Sequence, residues 1–360
     1  MTRTKTVLIS GGAGFIGTRL AKRIVGDYKV VLLDNLHPQV HANNAWPIDS
    51  PAEAVQLFGD VTEAAVWNAA ISEHRPDVIV HLAAETGTGQ SLTESYRHAS
   101  VNVTGTARML DALSASGHRP QAIVLASSRA VYGEGQWATA SGELYYAAPR
   151  GEKQLVSGEW EPVGPDGEEG RSVAHNATSV EPRPTNVYAA TKLAQEHILS
   201  SWCGSMNVPL RILRLQNVYG AGQALENSYT GVLTYFARQA IAGEPINVYE
   251  GGGIVRDFVH VDDVVSALSA ALALPAAVGF CLVDIGSGSA GTLLDYAKEL
   301  AQVAGSPAPE ISERFRLGDV RAAYADIAPA QALLGYEPEV SFRDGVVGLL
   351  EWARIGAETA

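Results

Sequence analysis

Residues 6–17 read TVLISGGAGFIG, an apolar run followed directly by glycines that include positions 11, 14 and 17. This spacing predicts a buried strand, a tight turn and the first turn of a helix. Gly11 suits the tight turn, Gly14 lets the backbone approach a pyrophosphate, and Gly17 lets the helix pack closely on the strand. Glycines also occur in ordinary strand-to-helix turns, so the interpretation depends on the residues that follow.

A second apolar run, Lys29–Leu33, ends at Asp34. A carboxylate at this place can accept hydrogen bonds from both adenosine ribose hydroxyls and would repel a 2′-phosphate. The alternative is a turn-capping Asp before Asn35. Together with the glycine turn, Asp34 predicts a dinucleotide-binding fold that binds NAD rather than NADP. Asp60 follows a further predicted strand and is a candidate partner of the adenine amino group, although a solvated loop carboxylate fits it equally well.

Further apolar runs alternate with amphipathic stretches, which is the pattern of parallel strands joined by crossover helices. The runs are 78–82, 122–126 and 210–215, and helices are expected at 18–25 and 101–116. We therefore predict an α/β fold, namely a Rossmann-type doubly wound parallel sheet with a smaller α+β substrate-binding lobe.

The two domains are not expected to divide the chain into two consecutive segments. The NAD-binding domain is expected at residues 1–215 with a returning segment near 257–275, and residues 216–360 are expected to form mainly the nucleotide-sugar-binding lobe. Residues 135–186 are rich in Gly, Pro, Glu and Tyr and show little periodicity, which predicts a long inserted loop or flap. This segment has no cysteine and one histidine, His175, which argues against a zinc site.

The composition limits the partners. The chain has 360 residues, 46% of them hydrophobic, which is ample for a large core. Its 26 Lys and Arg against 39 Asp and Glu give a net charge of −13, which argues against nucleic acid or an anionic membrane, because both require clustered positive charge. Cys203 and Cys281 are too few for a disulfide framework or a structural metal cluster, so we expect no metal and a cytoplasmic location. Uncharged residues 264–283 could suggest a membrane span, but Pro275 and Gly279 favour a helix, a turn and a buried strand.

The sequence YAATK places Tyr188 and Lys192 on one face of a helix predicted at 187–201. A lysine at this spacing can lower the pKa of the phenol toward neutral pH and can also hold the nicotinamide ribose, so Tyr188 is a candidate general acid/base. Ser128 follows run 122–126 and can hydrogen-bond the reacting oxygen. The alternative for Ser128 is a loop serine that caps a backbone amide.

Taken together, these motifs resemble the extended short-chain dehydrogenase/reductases of the nucleotide-sugar epimerase/dehydratase family. The motifs are the glycine turn, Asp34, His81–Ala84, Ser127–Ser128 with Val131–Gly133, Tyr188 with Lys192, and Asn217–Gly220. Within the family, residues 84–91, 128–135 and 216–222, with Tyr229, Thr230 and Gly231, look like the dTDP-L-rhamnose 4-epimerase branch. The resemblance implies an NAD-dependent enzyme that acts on a nucleoside-diphosphate sugar, and a homodimer formed through helices beside the active site.

The resemblance also implies which residues contact each ligand. Those expected at the cofactor are Gly11, Gly14, Phe15, Ile16, Gly17, Asp34, Asn35, Asp60, Val61, Leu82, Ala83, Ala84, Tyr188 and Lys192. Those expected at the substrate are Glu85, Thr86, Thr88, Gln90 and Ser128 for the sugar, Asn217, Arg256 and Arg316 for the diphosphate, Asp319 near the nucleoside ribose, and Tyr249. Two arginines can grip a diphosphate even on an acidic protein, although surface salt bridges are the alternative for each.

At one site the sequence departs from the dehydratases of the family, and this departure indicates which of the family's reactions to expect. Dehydratases of the family carry Asp-Glu directly after the catalytic hydroxyl residue, whereas this chain has Arg129-Ala130. We therefore expect an isomerase, a 4-epimerase of a dTDP-linked 6-deoxyhexose of the L-rhamnose/6-deoxy-L-talose type, which oxidises C4, turns the 4-keto sugar and reduces it again. The alternatives are a 4-keto-sugar reductase, a UDP-glucose or UDP-glucuronate 4-epimerase, and a non-catalytic NAD-sensing regulator.

Overall fold

The structure is a computed structural model in which residues 3–41, 44–224 and 231–359 are described. Tyr229 and Thr230 of the branch motif lie outside the described residues. The strands, in chain order, are β1 (Thr6–Ser10), β2 (Lys29–Asp34), β3 (Val55–Phe58), β4 (Val78–His81), β5 (Ala122–Ser128), β6 (Gln136–Ala138), β7 (Leu144–Tyr146), β8 (Arg171–Ser172), β9 (Leu210–Leu215), β10 (Asn217–Tyr219), β11 (Asn247–Val248), β12 (Val255–Arg256), β13 (Phe258–His260), β14 (Phe280–Ile285), β15 (Gly291–Thr292), β16 (Glu310–Ile311) and β17 (Ala322–Ala323). The helices are α1 (Phe15–Ile24), α2 (Ala64–His74), α3 (Ser95–His98), α4 (Gly105–Ser116), α5 (Glu152–Val156), α6 (Val187–Met206), α7 (Val232–Ile241), α8 (Val261–Ala273), α9 (Leu293–Ala304), α10 (Ala328–Leu334) and α11 (Phe342–Thr359).

Seven parallel strands form the central sheet, in the order β14-β9-β5-β4-β1-β2-β3. Leu8 of β1 pairs with Val31 of β2 on one side and with Ile79 of β4 on the other, and all three are fully buried. Such continuous burial is expected when helices cover both faces of a parallel sheet. Because the strands run in the same direction, their carboxyl ends meet at one edge, where ligands of such folds bind. The predicted Rossmann-type α/β fold is confirmed.

Helices cover both faces of the sheet. Helices α1 and α8 pack on one face around a core that includes Leu20 and Val264. Helices α2, α4 and α6 pack on the other face, where Trp67 and Leu113 are fully buried. Burying a large apolar side chain of this kind stabilises the fold by about 1.5–3 kcal/mol.

The turn between β1 and α1 is crowded by backbone. A Cβ atom on Gly17 would lie 2.3 Å from the carbonyl oxygen of Gly11, and Gly11 itself has φ +72°. The helix begins at Phe15, earlier than the predicted residue 18, because Gly14 takes the N-cap position. Gly11 and Gly17 thus have the turn and packing reasons that the sequence suggested for them.

The helix predicted at 101–116 is also longer than expected. It begins at Ser95, since α3 continues through a π-helical turn at Ala99–Thr104 into α4. Asn102 lies in this turn; its Oδ1 accepts a hydrogen bond from the Glu85 amide at 2.8 Å and its Nδ2 donates to Thr191 Oγ1 at 2.9 Å. The π turn therefore joins the loop after β4 to helix α6, and π turns often occur at functional sites.

A second, smaller core lies outside the sheet. Helices α7, α9 and α11 surround Phe236, Leu300 and Leu349, beside the small sheets β10-β13, β11-β16 and β15-β12-β17. The chain returns to the main sheet through α8 and β14, so the returning segment extends to Ile285 rather than ending near residue 275. Helix α10 also packs against β14, so this late segment belongs with the sheet.

The segment 135–186 is not the irregular loop that its composition suggested. Strand β6 pairs antiparallel with β7 and β8, and α5 follows. Trp137 is 2% exposed at the centre of this small sheet, and its indole N–H donates to the Glu134 carbonyl. Most of the segment lies outside these elements, and the elements themselves were not predicted because strands this short carry too few residues to show a period.

Residues 264–283 form most of α8, a turn and the start of β14, as predicted. Across the described part of the chain, no helix has both the length and the apolar character needed to cross a membrane.

Two glycine-to-alanine substitutions test whether the turn between β1 and α1 has room for a Cβ atom. We expect Gly17→Ala to destabilise the protein by about 1–3 kcal/mol, because its Cβ must displace backbone. Gly26→Ala is the matched control, since nothing lies within 4 Å of a Cβ there, and it should change stability by less than about 0.5 kcal/mol. Urea unfolding followed by circular dichroism measures both, and equal stabilities would contradict the packing role of Gly17.

Candidate active site

A cleft at the carboxyl ends of β1, β2 and β4 collects most of the predicted cofactor residues. Those that line it are Gly11, Gly14, Asp34, Asn35, Val61, Leu82, Ala83 and Ala84. A Cβ on Gly11 would lie 2.7 Å from the Ala83 amide nitrogen, so the turn and the loop after β4 form a close backbone cradle. Among the described residues no side chain caps α1 at Gly14, so the first amides of the helix are available to a phosphate. The cradle and the open helix end fit a dinucleotide pyrophosphate.

Asp34 is held firmly at the end of β2. Its Oδ2 accepts a hydrogen bond from the Ala13 amide at 3.0 Å, and its Oδ1 accepts one from the Leu36 amide at 2.8 Å. Fixed in this way, the carboxylate faces the cleft where an adenosine ribose would lie.

The remaining predicted cofactor residues, which include Asp60, Phe15 and Ile16, are not among those that line this cleft. Asp60 accepts hydrogen bonds from Asn35 and Thr62; burial opposes ionisation, but these bonds outweigh it and lower the pKa of Asp60. Phe15 lines a neighbouring cleft with Gly14, and Ile16 packs on the hydrophobic core.

A second cleft brings together Ser128, Tyr188 and Asn217, three residues that are far apart in the sequence. It is lined by Thr86, Gly87, Thr88, Ser128, Arg129, Ala130, Tyr188, Gln216, Asn217, Val218, Tyr219, Gly231, Val232, Leu233 and Phe258. The wall thus joins the end of β5, the start of α6 and the start of β10. Two predicted sugar contacts, Thr86 and Thr88, lie in it.

Tyr188 has two groups that favour its phenolate. Burial raises the pKa of Tyr188 above its ordinary value, and a hydrogen bond with Ser128 and the charge of Arg129 offset only part of that rise. The sequence prediction assigned this electrostatic effect to Lys192. In the structure it comes from Arg129, which sequence reasoning did not identify as a site residue.

Lys192 instead belongs to a buried chain of hydrogen bonds. Its Nζ donates to Gln195 Oε1 at 2.5 Å, and Gln195 Nε2 donates to Thr106 Oγ1 at 2.9 Å. Burial lowers the pKa of Lys192 to about 8. A neutral amide therefore holds the ammonium of Lys192, which is not among the residues that line either cleft.

The same chain fixes the tautomer of His81. Thr106 uses its single hydroxyl hydrogen on the Asn102 carbonyl at 2.6 Å, so His81 Nε2 must be the donor in its 3.0 Å contact with Thr106. His81 Nδ1 then accepts from the Ser10 hydroxyl at 2.6 Å. Burial, with the nearby Lys192, lowers the pKa of His81 to about 3, which keeps the ring neutral.

A buried ion pair anchors helix α6 to the sheet. Glu196 accepts hydrogen bonds from Arg214 of β9, the shorter at 2.7 Å, and from the Ser127 hydroxyl at 2.5 Å. Ser127 precedes Ser128 in β5, so this contact sets α6 and β5 relative to each other. The positions of Ser128 and Tyr188 depend on it.

Of the residues predicted at the diphosphate, Asn217 lines the second cleft, whereas Arg256 and Arg316 are not among its lining residues. Arg256 is buried; its Nη2 donates to Asp319 Oδ1 at 2.7 Å and to the Val320 carbonyl at 2.9 Å. The guanidinium of exposed Arg316 lies 5.8 Å from the centre of the Tyr249 ring.

Two predicted sugar contacts lie elsewhere. Glu85 accepts a hydrogen bond from Arg97 at 2.6 Å and lines the first cleft, while Gln90 is buried and bonded to Gln39 and Glu94. The second cleft does not include them, because the Glu85 side chain is paired with Arg97 of α3, and the Gln90 side chain is paired with Gln39, which follows β2.

Arg150 links the inserted segment, residues 135–186, to the residues around this site. Its guanidinium donates to Glu250 Oε2 at 2.6 Å and to the Asp319 carbonyl at 2.8 Å, and it pairs with Glu134 at 3.4 Å. Arg321 pairs with Glu161 of the insertion. Residues 135–186 are thus tied to the loop that carries Asp319, and no sequence pattern signalled these pairs.

The comparisons with known proteins agree with one another over most of the length of the chain. Residues 7–280 match the NAD dependent epimerase/dehydratase family. The chain is 47% identical to the dTDP-L-rhamnose 4-epimerase of Burkholderia thailandensis, over 97% of this chain and 94% of that protein. It is 28% identical to the UDP-glucose 4-epimerase of Mycolicibacterium smegmatis, over 96% of this chain and 98% of that protein.

Solved structures show the same architecture. The UDP-glucose 4-epimerase of Thermotoga maritima, solved with UDP-glucose, has a TM-score of 0.79 and 25% identity, covering 98% of this chain and 99% of that one. The UDP-glucose 4-epimerase of Thermus thermophilus in complex with NAD has a TM-score of 0.75 and 27% identity, covering 97% of this chain and 99% of that one.

The anchor of α6 can be tested by stability. Glu196→Leu leaves Arg214 buried without a counter-charge, so we expect a loss of about 3–5 kcal/mol. Glu181→Leu is the control; it removes the exposed pair of Glu181 and Arg183, and should cost less than about 1 kcal/mol. The two variants are compared by urea unfolding, and similar losses would show that burial of the Glu196 pair has no special weight.

Proposed function

This chain belongs to the NAD dependent epimerase/dehydratase family, and we propose that within it the protein is a 4-epimerase of a dTDP-linked 6-deoxyhexose of the L-rhamnose type. The predicted enzyme class and the predicted cofactor, NAD, are confirmed by this membership. The observation that carries the choice of substrate is the 47% identity to a dTDP-L-rhamnose 4-epimerase over nearly the whole of both chains. The homodimer and the cytoplasmic location stay predictions.

The first cleft would hold the cofactor. The Gly11 cradle and the open end of α1 suit its pyrophosphate, and the fixed carboxylate of Asp34 suits a ribose with a free 2′-hydroxyl. Lys192 would contact the nicotinamide ribose in exchange for Gln195. When bound, NAD supplies a reversible hydride acceptor for C4 of the sugar.

Tyr188 is the general base in this proposal. As phenolate it takes the proton of the 4-hydroxyl, while the Ser128 hydroxyl hydrogen-bonds the same oxygen. In the return half of the reaction Tyr188 gives the proton back to the oxygen at C4. Both side chains line one cleft, which allows them to act on either face of a sugar that turns within it.

The nucleotide must stay fixed while the sugar turns. Asn217, Arg256 and Arg316 would hold the diphosphate, and Asp319 would hold the nucleoside ribose, through contacts that do not involve the ring. Binding energy from this remote part keeps the 4-keto sugar in the cleft until it is reduced. Thr86 and Thr88, which line the same cleft as Tyr188, are the proposed sugar contacts.

The residues at positions 129 and 130 distinguish the proposed epimerisation from a dehydration. An acid and a base are needed for elimination of water, and Arg129 and Ala130 supply neither. The cleft therefore retains the groups for oxidation and reduction at C4 alone.

An isotope experiment tests the reaction. With dTDP-L-rhamnose deuterated at C4 and no added cofactor, we expect the 4-epimer to form with the deuterium retained at C4, as measured by NMR and mass spectrometry. A requirement for stoichiometric NADH or NADPH would identify a reductase instead. Turnover of UDP-glucose but not of the dTDP sugar would overturn the substrate assignment, and exchange of the deuterium with solvent would overturn the mechanism.

A pH profile tests the roles of Ser128 and Tyr188. The rate rises with pH as Tyr188 ionises, and Ser128 lowers the pKa of Tyr188, so Ser128→Ala should move the acidic limb of kcat to higher pH. It should also reduce kcat about 10-fold to 100-fold at neutral pH. Ser128→Thr keeps the hydroxyl and should restore the wild-type limb. An unshifted limb in Ser128→Ala would exclude this role for Ser128.

A further inference from the structure

We propose that Arg129 binds the phosphate that carries the sugar, and so fixes the point about which the sugar turns. This inference rests on the proposed function. It adds a substrate-binding residue that neither the sequence motifs nor the family resemblance assigned.

The position of Arg129 supports this role. It opens the short 3-10 turn directly after Ser128 and lines the second cleft with Tyr188 and Asn217. Its Nε donates to Asn217 Oδ1 at 2.7 Å. That bond uses one edge of the guanidinium, and the two terminal nitrogens remain on the other side of a planar fork suited to a phosphate.

The surrounding charges also call for an anion. The carboxylates nearest to Arg129 belong to other arginines: Glu134 pairs with Arg150, and Asp319 pairs with Arg256. Burial and the neighbouring Arg256 lower the pKa of Arg129 to about 10, so it stays charged at neutral pH. Two cations placed close together in a partly buried cleft repel each other unless an anion joins them.

The groups around Arg129 indicate which of the two phosphates of the substrate it meets. Arg129 lies close enough to Tyr188 and to Arg256 for their charges to interact, and it hydrogen-bonds Asn217. A substrate whose C4 reaches Tyr188 and whose diphosphate reaches Asn217 must pass Arg129 where the sugar joins the diphosphate. Arg256 donates to Asp319, the proposed contact of the nucleoside ribose, which puts Arg256 at the nucleoside side of the diphosphate. Arg129 is therefore the cation that meets the sugar-side phosphate.

The affinities for two nucleotides, dTDP and dTMP, test this assignment without a measurement of turnover. dTDP contains the sugar-side phosphate and dTMP lacks it. We expect Arg129→Met to weaken dTDP binding about 10-fold to 100-fold and to change dTMP binding less than about 2-fold, as measured by isothermal titration calorimetry. Arg129→Lys, which keeps the charge but not the fork, should lose less than Arg129→Met.

Controls separate this role from a structural one. Arg119→Met removes a surface arginine that lies over the Trp202 ring, and both nucleotides should bind it as they bind wild type. If Arg129→Met does not fold, Arg129→Gln replaces it, because its amide can still bond Asn217 without a charge. Equal losses for dTDP and dTMP, or no loss for either, would overturn the role of Arg129. If wild type bound neither dTDP nor UDP, the proposed function itself would fail; if it preferred UDP, the same comparison would be made with UDP and UMP.

Discussion

The close approach of two backbones at the end of β1 determines the geometry of the whole active site. The Gly11 turn lies so near the loop after β4 that a Cβ on Gly11 would be 2.7 Å from the Ala83 amide, and α1 lies so near the turn that Gly17 has no room for one. Because β1 is central, its neighbours β2 and β4 then place Asp34 and Ala83 at the same edge of the sheet. Cofactor contacts from three separate segments thus follow from one packing constraint.

Helix α6 meets the sheet through two networks of different character. Lys192, Gln195, Thr106 and His81 form a chain in which only the lysine can be charged. One turn further, Glu196 and Arg214 form a buried ion pair. The first network holds the lysine without a carboxylate, which leaves it free to exchange Gln195 for a ribose hydroxyl. The second holds the helix itself, so the reactive side chains can change partners while the backbone stays fixed.

The sequence was informative where structure depends on neighbouring residues. Strands β1 and β9 have the predicted bounds, because short runs rich in Leu, Ile and Val are a local signal of a strand in a parallel sheet. The insertion could not be predicted in this way. Its order depends on Arg150 and Glu250, which are 100 residues apart, and no local pattern records such a pair. Arg129 was missed for a related reason: its meaning depends on which carboxylates nearby are already paired.

An acidic protein can bind an anion because local charge differs from net charge. The chain carries −13, yet Arg150, Arg214 and Arg321 are buried with carboxylate partners, and Arg211 is satisfied by the Ala271 and Leu274 carbonyls at the end of α8. Such arginines hold the fold and contribute no field to a ligand. Within the described residues, an arginine that faces the second cleft beside a side-chain amide, and has no carboxylate within ion-pair distance, is Arg129. The net charge is a property of the whole surface, whereas the proposed anion binding depends on local positions such as that of Arg129.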